Sequence, residues 1–258
     1  MTKSSNIVLF GNNYVGREVL SWLIREGYVP VLVVMHRPEA SYYFEDIKTL
    51  ADEANIEVLY YDQVHKPEGI ERIRQAQPDV GISAYYGYIL KPMILDLFPM
   101  GVINMHGAYL PWCRGRNPNV WTIIDHAPAG VTLHLIGPGV DTGPILAQRR
   151  VDLTPDMTAK ELYRKMEQAI LSLFFDTFPK FLEGKISPQP QPEDIGTFHL
   201  AAELTELKKL NLDEVMPVGR TIDMLRACTF PPFPGARFVA NGVEYDVNIQ
   251  IKQVVPNE

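Results

Sequence analysis

Residues 101–144, GVINMHGAYLPWCRGRNPNVWTIIDHAPAGVTLHLIGPGVDTGP, run through a strand, a Gly/Pro-rich loop, a helix, a second strand and a second loop. Asn104 and His106 lie two apart on the first strand, so their side chains leave the same face of the pleat. Asp141 follows the second strand in the tight loop Gly137-Pro-Gly-Val-Asp-Thr-Gly143, which has no apolar periodicity for packing to explain. An amide, an imidazole and a carboxylate at strand ends suit a reaction in which a carbonyl becomes an oxyanion and protons move.

The same alternation of strand and helix extends upstream. NIVLF (6–10), VPVLVVM (29–35), IEVLYY (56–61) and DVGISA (79–84) read as strands, and GVINMH (101–106) comes after them. Between them, REVLSWLIREG (17–27) sets Val19, Leu20, Leu23 and Ile24 on one helical stripe that stops at Gly27. EDIKTLADEAN (45–55), IERIRQAQ (70–77) and PMILDLF (92–98) also read as helices, the last with Pro at its start. Strands separated by helical patterns imply βαβ units, an α/β class and a mostly parallel, doubly wound sheet. VTLHLI (131–136) and ILAQRRVDL (145–153) continue the strands.

A long helix is expected from about Thr158 to Glu183, opened by the capping box Thr158-Ala-Lys-Glu161 and stopped at Gly184. Its apolar positions Leu162, Met166, Ile170, Leu173 and Phe174 keep helical spacing. SPQPQPE (187–193) cannot continue a helix, so the chain divides into a domain at 1–186 and a small C-terminal subdomain at 187–258. The subdomain carries helical stretches at 203–210 and near 219–228. A β-hairpin comes next, in which Asn241-Gly242 joins ARFVA to VEYDVNI.

At 258 residues, with 46% apolar and 21% charged side chains, the chain has the make-up of an ordinary globular protein. A net charge of −7 gives no electrostatic reason to bind nucleic acid or an anionic membrane. Cys113 and Cys228 have no metal-type spacing and read as thiols in a reducing compartment. The apolar run in MTKSSNIVLFGNN is too short for a signal peptide, and no stretch reaches the length of a membrane span. The expected location is the cytoplasm, with no metal and no membrane or nucleic-acid partner.

Other segments admit two readings each. Gly11-Asn-Asn-Tyr-Val-Gly16 stands where a ligand-binding loop would succeed a first strand, but it also fits a tight turn that needs Gly. Ser83-Ala-Tyr-Tyr-Gly-Tyr-Ile-Leu90 could line a planar ligand; taken alone, it reads as tyrosines capping the core. His36, His65, His126 and His199 form no metal-spaced pair and read as non-catalytic. His134, mid-strand, could reach the site or be a satisfied core histidine, and the second reading is favoured because lone histidines have that role more often. Asn104, His106 and Asp141 lie at the carboxyl ends of strands, where doubly wound sheets place ligand sites.

These residues resemble the formyltransferases that use N10-formyltetrahydrofolate. The family pattern stands here as Asn104-Met-His106, Leu110-Pro111, Arg114-Gly115, Gly130-Val-Thr-Leu-His134 and Asp141-Thr-Gly143, five ordered elements over 40 residues. Gln148 and the helix from Thr158 match in pattern too, and the likeness covers roughly residues 6–190. The resemblance implies a Rossmann-like domain and a catalytic set of Asn104, His106 and Asp141. It implies formyltetrahydrofolate as co-substrate, held by Tyr85, Tyr86, Gly87, Tyr88, Ile89 and Leu90 on one side and by Gly139 and Asp141 on the other. Asn104 would bond the developing oxyanion. His106 would either stabilise that oxyanion or take the amine proton, and Asp141 would tune His106.

Three acceptors remain open, distinguished by the chain beyond residue 190. Methionyl-tRNA formyltransferases carry a larger C-terminal domain that grips tRNA, which needs a basic face. Residues 185–258 hold 7 Lys/Arg against 10 Asp/Glu, a net of −3. Glycinamide ribonucleotide formyltransferases would leave the tail unexplained. Sugar-nucleotide N-formyltransferases have a small C-terminal subdomain, and Asp223-Met-Leu-Arg226-Ala-Cys-Thr-Phe-Pro-Pro-Phe-Pro-Gly-Ala236 with its trailing hairpin looks like theirs. The resemblance therefore implies formylation of a dTDP-linked amino-dideoxyhexose, a UDP-sugar next, in the synthesis of surface polysaccharide (O-antigen) precursors by a homodimer. Asn12, Tyr14, Arg114 and Arg116 would meet the sugar nucleotide. Phe230 or Phe233 would pack on its base, unless Phe230-Pro-Pro-Phe-Pro is a packing motif. Ala108 and Trp112-Cys113 replace the Ser and Lys-Tyr found in many relatives, which bears on the sugar rather than the chemistry. A nicotinamide-dependent dehydrogenase is the distant alternative, but the first turn is not GxGxxG and Met35-His36-Arg37 supplies no ribose-binding carboxylate.

Overall fold

The structure is a computed structural model and describes residues 5–192 and 194–254. In chain order its elements begin β1 (Ile7–Gly11), α1 (Asn13–Arg25), β2 (Leu32–Met35), α2 (Phe44–Glu53), β3 (Glu57–Tyr60), α3 (Pro67–Gln75), β4 (Val80–Ala84), α4 (Pro92–Leu95) and β5 (Val102–His106). They continue through β6 (Arg114–Gly115), α5 (Pro118–Ile124), β7 (Gly130–Leu135), β8 (Ile145–Arg150), α6 (Ala159–Leu182), β9 (Phe198–His199), α7 (Ala201–Leu207), α8 (Val218–Cys228), β10 (Ala236–Ala240) and β11 (Val243–Val247). Seven strands form one sheet in the order β3-β2-β1-β4-β5-β7-β8. The pairs β1–β2, β2–β3, β1–β4 and β4–β5 are parallel, and β5–β7 is antiparallel. The α/β, mostly parallel sheet implied by the sequence is thus present, and its strand order reverses between β1 and β4.

The chain packs into two compact units. The first holds residues up to His106 together with Thr132–Gln148 and Ile170–Gln191. Every residue of β1, β2 and β4 is buried, which is why these strands read as continuous apolar runs rather than alternations. Phe10 packs edge-on against Tyr86 and Phe98, with ring centroids at 5.5 and 5.9 Å. On α1 the buried aromatic is Trp22, stacked on Phe175 at 4.9 Å and edge-on to Phe174 and Phe178 of α6. Ile24, placed on the apolar stripe by its spacing, is only half-buried. The helix also begins four residues earlier than its periodicity suggested. Gly16 thereby falls inside α1, where a Cβ would meet the Gly11 carbonyl carbon at 2.9 Å. Close approach of helix to strand, not an unusual backbone angle, accounts for that glycine.

The second unit holds Gly107–Val131, Arg149–Ala169 and the chain from Pro192. Ala108, Cys113, Trp121 and Ala127 form its apolar cluster. Trp121 lies flat on His199 with centroids 4.0 Å apart, and His199 bridges Asp125 and Glu203 at 2.8 and 2.9 Å. Arg226 is buried; its guanidinium pairs with Asp223 at 2.7 Å and donates to the carbonyls of Thr154 and Met157, so the Asp223…Arg226 motif welds α8 to the segment before α6. At the start of α6, the Glu161 carboxylate accepts from the Thr158 amide, which is the Glu half of the capping box, and the Thr158 hydroxyl donates to the same carboxylate. The hairpin forms as read, with β10 and β11 antiparallel and both Asn241 and Gly242 at positive φ. Both cysteines are buried outside any disulfide, and burial pushes each thiol up to about 11. Among the described residues no helix is long and apolar enough to cross a membrane.

Candidate active site

Strand β5 delivers Asn104 and His106 to one face, and its antiparallel pairing with β7 sets what lies opposite them. Asn104 faces His134 across the ladder, and His106 faces Thr132. The Asn104 amide nitrogen donates to His134 Nε2 at 3.0 Å and to Asp141 Oδ1 at 3.2 Å. His106 Nδ1 lies 3.5 Å from Asp141 Oδ2, and His134 Nε2 lies 3.5 Å from Asp141 Oδ1. His134 Nδ1 sits 2.8 Å from the Leu135 carbonyl. A carbonyl only accepts, so Nδ1 carries the proton and Nε2 offers its lone pair to Asn104. One carboxylate thus sits among two imidazoles and an amide, and both imidazoles are buried. Beside this group, Gln148 donates to the Thr132 hydroxyl at 3.0 Å.

Asp141 holds its position in an unfavourable backbone conformation, with φ at +54°. A non-glycine residue there costs about 1 kcal/mol or more, and such strain gathers at functional sites. The loop is also too tight for side chains at its closing glycine. A Cβ on Gly143 would meet the Leu135 carbonyl oxygen at 1.8 Å and the Gly137 nitrogen at 2.9 Å. The Gln191 amide donates to the carbonyls of Asp141 and Gly143, each at 2.8 Å.

The tyrosine segment divides in two. Tyr85 follows directly on β4 at φ +53°, a second strained non-glycine residue. The Tyr86 ring is 2% exposed and belongs to the core, where burial raises its phenol above the ordinary range. Its carbonyl is bonded by His36 Nε2. Leu90 is buried, whereas Gly87, Tyr88 and Ile89 are exposed, and Tyr88 lies parallel to Tyr61 with centroids 4.4 Å apart. Gly139 is exposed on the loop that carries Asp141. Asn12 is buried at the end of β1; its backbone N–H donates to the Ala84 carbonyl, and its side-chain oxygen has no partner among the described residues. Tyr14 packs against Tyr43.

All of these residues belong to the first unit. Arg114, Arg116, Phe230 and Phe233 belong to the second. There Arg114 and Arg116 donate their backbone N–H groups to Thr197 and His199, and the Arg116 side chain is exposed. Phe230 packs against Tyr163 at 5.5 Å and Phe233 at 5.8 Å.

One residue of this cluster, Gln191, escaped the sequence reading of the site, and His134 meets both of its readings at once. It is a buried, satisfied histidine, at 1% exposure, but one of its two partners is Asn104, the other being the Leu135 carbonyl. The antiparallel β5–β7 register that places it there is a long-range fact without a local sequence signal. Gln191 acts from a proline-rich segment through main-chain carbonyls, and nothing in its own neighbourhood marks it.

The formyl transferase family matches residues 8–177, and the N-formyltransferase dimerization C-terminal domain matches residues 203–253. A methionyl-tRNA formyltransferase from Myxococcus xanthus is 35% identical over 191 residues, which is 74% of this chain; the match spans 60% of that protein's length. A formyltransferase from Anoxybacillus kamchatkensis, solved with UDP-4,6-dideoxy-4-formamido-L-AltNAc and tetrahydrofolate, is 32% identical. It aligns with 68% of this chain and 88% of its own, at a TM-score of 0.55. A sugar N-formyltransferase from a Shewanella species shares the fold at a TM-score of 0.82 over 98% of this chain and 100% of its own, with 18% identity. The chain belongs to the formyl transferase family.

Proposed function

We propose that the protein moves a formyl group from N10-formyltetrahydrofolate to the amine of a nucleotide-linked amino sugar. The observation that carries the reading is the convergence of Asn104, His106 and Asp141 at the end of β5, within a chain of this family. The residues proposed for folate suit a flat, partly apolar ligand. Tyr88 presents an aromatic face already laid on Tyr61, Ile89 is 74% exposed beside it, and the Gly139–Asp141 loop offers polar backbone.

Addition of the amine forms a new C–N bond and puts charge on the formyl oxygen. Asn104 meets that charge by exchanging its longer bond, the one to Asp141, for the oxyanion. The attacking nitrogen must lose a proton, and N10 of the folate must gain one as its bond to carbon breaks. With His106 Nδ1 turned to Asp141, Nε2 is the atom through which the imidazole carries that proton between them. Asp141 favours the charged ring at the moment it holds the proton.

For the acceptor, three facts favour a sugar nucleotide: the match of the C-terminal segment to an N-formyltransferase domain, the UDP-sugar bound by the Anoxybacillus relative, and the acidic tail. A dTDP-linked amino-dideoxyhexose comes first and a UDP-sugar second, for surface polysaccharide precursors made in the cytoplasm. A homodimer through the C-terminal domain accompanies this reading, as do acceptor contacts from Asn12, Tyr14, Arg114, Arg116 and Phe230 or Phe233. The 35% identity to a methionyl-tRNA formyltransferase favours a second acceptor, tRNA. Incubation with formyltetrahydrofolate and a panel of dTDP- and UDP-amino sugars, methionyl-tRNA and glycinamide ribonucleotide separates the two. A mass gain of one formyl group on a sugar nucleotide is expected; a gain on tRNA alone overturns the choice.

A further inference from the structure

The motif Ser187-Pro-Gln-Pro-Gln-Pro192 is more than a break in composition, because it lies along the loop that holds Asp141. Gln189 exchanges both backbone hydrogen bonds with Ile145, its carbonyl accepting at 2.7 Å and its N–H donating at 2.8 Å. Two residues on, Gln191 donates both amide hydrogens to the carbonyls of Asp141 and Gly143. The orientation of that amide is forced, because its oxygen in the same place would face two carbonyl oxygens. Prolines at 188, 190 and 192 hold the chain extended and lower the entropy lost on docking, and alternation turns Gln189 and Gln191 to the same side.

From these contacts we infer that residues 187–191 are a strap of the active site and that Gln191 is a positioning residue for Asp141. The carbonyl that Gln191 binds is that of the strained residue itself, whose φ is +54°. The second carbonyl belongs to Gly143, the residue that admits no side chain. Gln191 therefore pins the loop on both sides of Thr142, and so fixes the carboxylate that faces His106 and Asn104. Without those two bonds, the loop can relax towards an ordinary backbone angle and carry the carboxylate out of register. The role in turnover rests on the formyl-transfer reading; the clamp itself does not.

Two measurements test it. Hydrogen exchange across residues 137–145 of the ligand-free protein should speed up about tenfold in Gln191→Ala and in Gln191→Glu, the second being an isostere without the donors. In formyl transfer, both variants should lose about 10- to 100-fold in kcat, the scale of a misplaced catalytic group, with the KM for the acceptor little changed. Asp141→Asn keeps the loop, since Asn tolerates this backbone region, and removes the charge. Adding Gln191→Ala to Asp141→Asn should then cost less than twofold more, because the strap has no carboxylate left to place. Unchanged exchange, unchanged kcat, or losses that multiply in the double variant would each overturn the proposal. A wild-type protein inactive with every acceptor would refute the reading of function, and the exchange comparison alone would then decide the clamp.

Discussion

His106 in the first unit and His199 in the second are both histidines set against carboxylates, yet they are built differently. His199 has each ring nitrogen within 2.9 Å of a carboxylate, Glu203 on one side and Asp125 on the other, and its face is covered by Trp121 at 4.0 Å. His106 meets the Asp141 carboxylate at 3.5 Å, and that carboxylate also accepts from Asn104. A ring with both nitrogens taken up at short range cannot exchange a proton with a third group without breaking a bond. The 3.5 Å contact between His106 and Asp141 is longer than either bond of His199, and a proton transfer disturbs it less. The contrast supports a structural role for His199 in the second unit and favours the proton-carrying role proposed for His106.

The sharpest way to break that contrast is to remove both rings in turn. His106→Ala is expected to lower kcat by about 10²- to 10⁴-fold, the range for a general acid–base group, while acceptor binding by calorimetry stays near that of the wild type. His134→Ala should cost less, about 10- to 100-fold, because it frees the Asn104 amide to turn rather than removing a reacting group. Steady-state rates rank the two, and a smaller loss in His106→Ala than in His134→Ala would invert the assignment.

His199→Ala should do the opposite. It strips partners from Asp125 and Glu203 and uncovers Trp121, for a loss of about 1–3 kcal/mol in urea unfolding. The kcat of the folded variant should stay within about twofold of wild type. A large drop in kcat with unchanged stability would place His199 in the chemistry after all.

The sequence made one half of this contrast legible and hid the other. Strands β1, β2 and β4 announced themselves because both their faces are buried, and Asn104 and His106 because two-residue spacing on a strand fixes a common face. Asp141 stood out in a loop with no packing pattern. The same logic reaches its limit at contacts made across the fold. His134 joins Asn104 only through an antiparallel register, His199 finds Asp125 at a separation of 74 residues, and Gln191 reaches Asp141 from 50 residues away. The early start of α1 was missed for a related reason, since Gly16 reads as a breaker unless the strand it packs against is known.

The smallest effect probes the carboxyl side of the comparison. Asp141 has imidazoles and an amide around it; Glu167, half-buried on α6 in the second unit, stands beside the Tyr163 hydroxyl and the Arg164 charge. Burial pushes its carboxyl up to about 7, and the Tyr163 hydroxyl and the Arg164 charge offset this only in part. The folded protein therefore binds more protons than the unfolded chain between the ordinary carboxyl range and neutrality. The stability that Glu167 contributes is complete below about pH 4.5 and is lost as pH rises through about 7. Glu167→Gln keeps the acceptor for Tyr163 and removes the charge. It should stabilise the protein by roughly 1 kcal/mol at pH 8, after allowance for solvent screening, and by almost nothing at pH 5. Thermal melts of both proteins at the two pH values measure the difference. An equal gain at both would mean that packing, not the cost of a half-buried charge, separates Glu from Gln at this position.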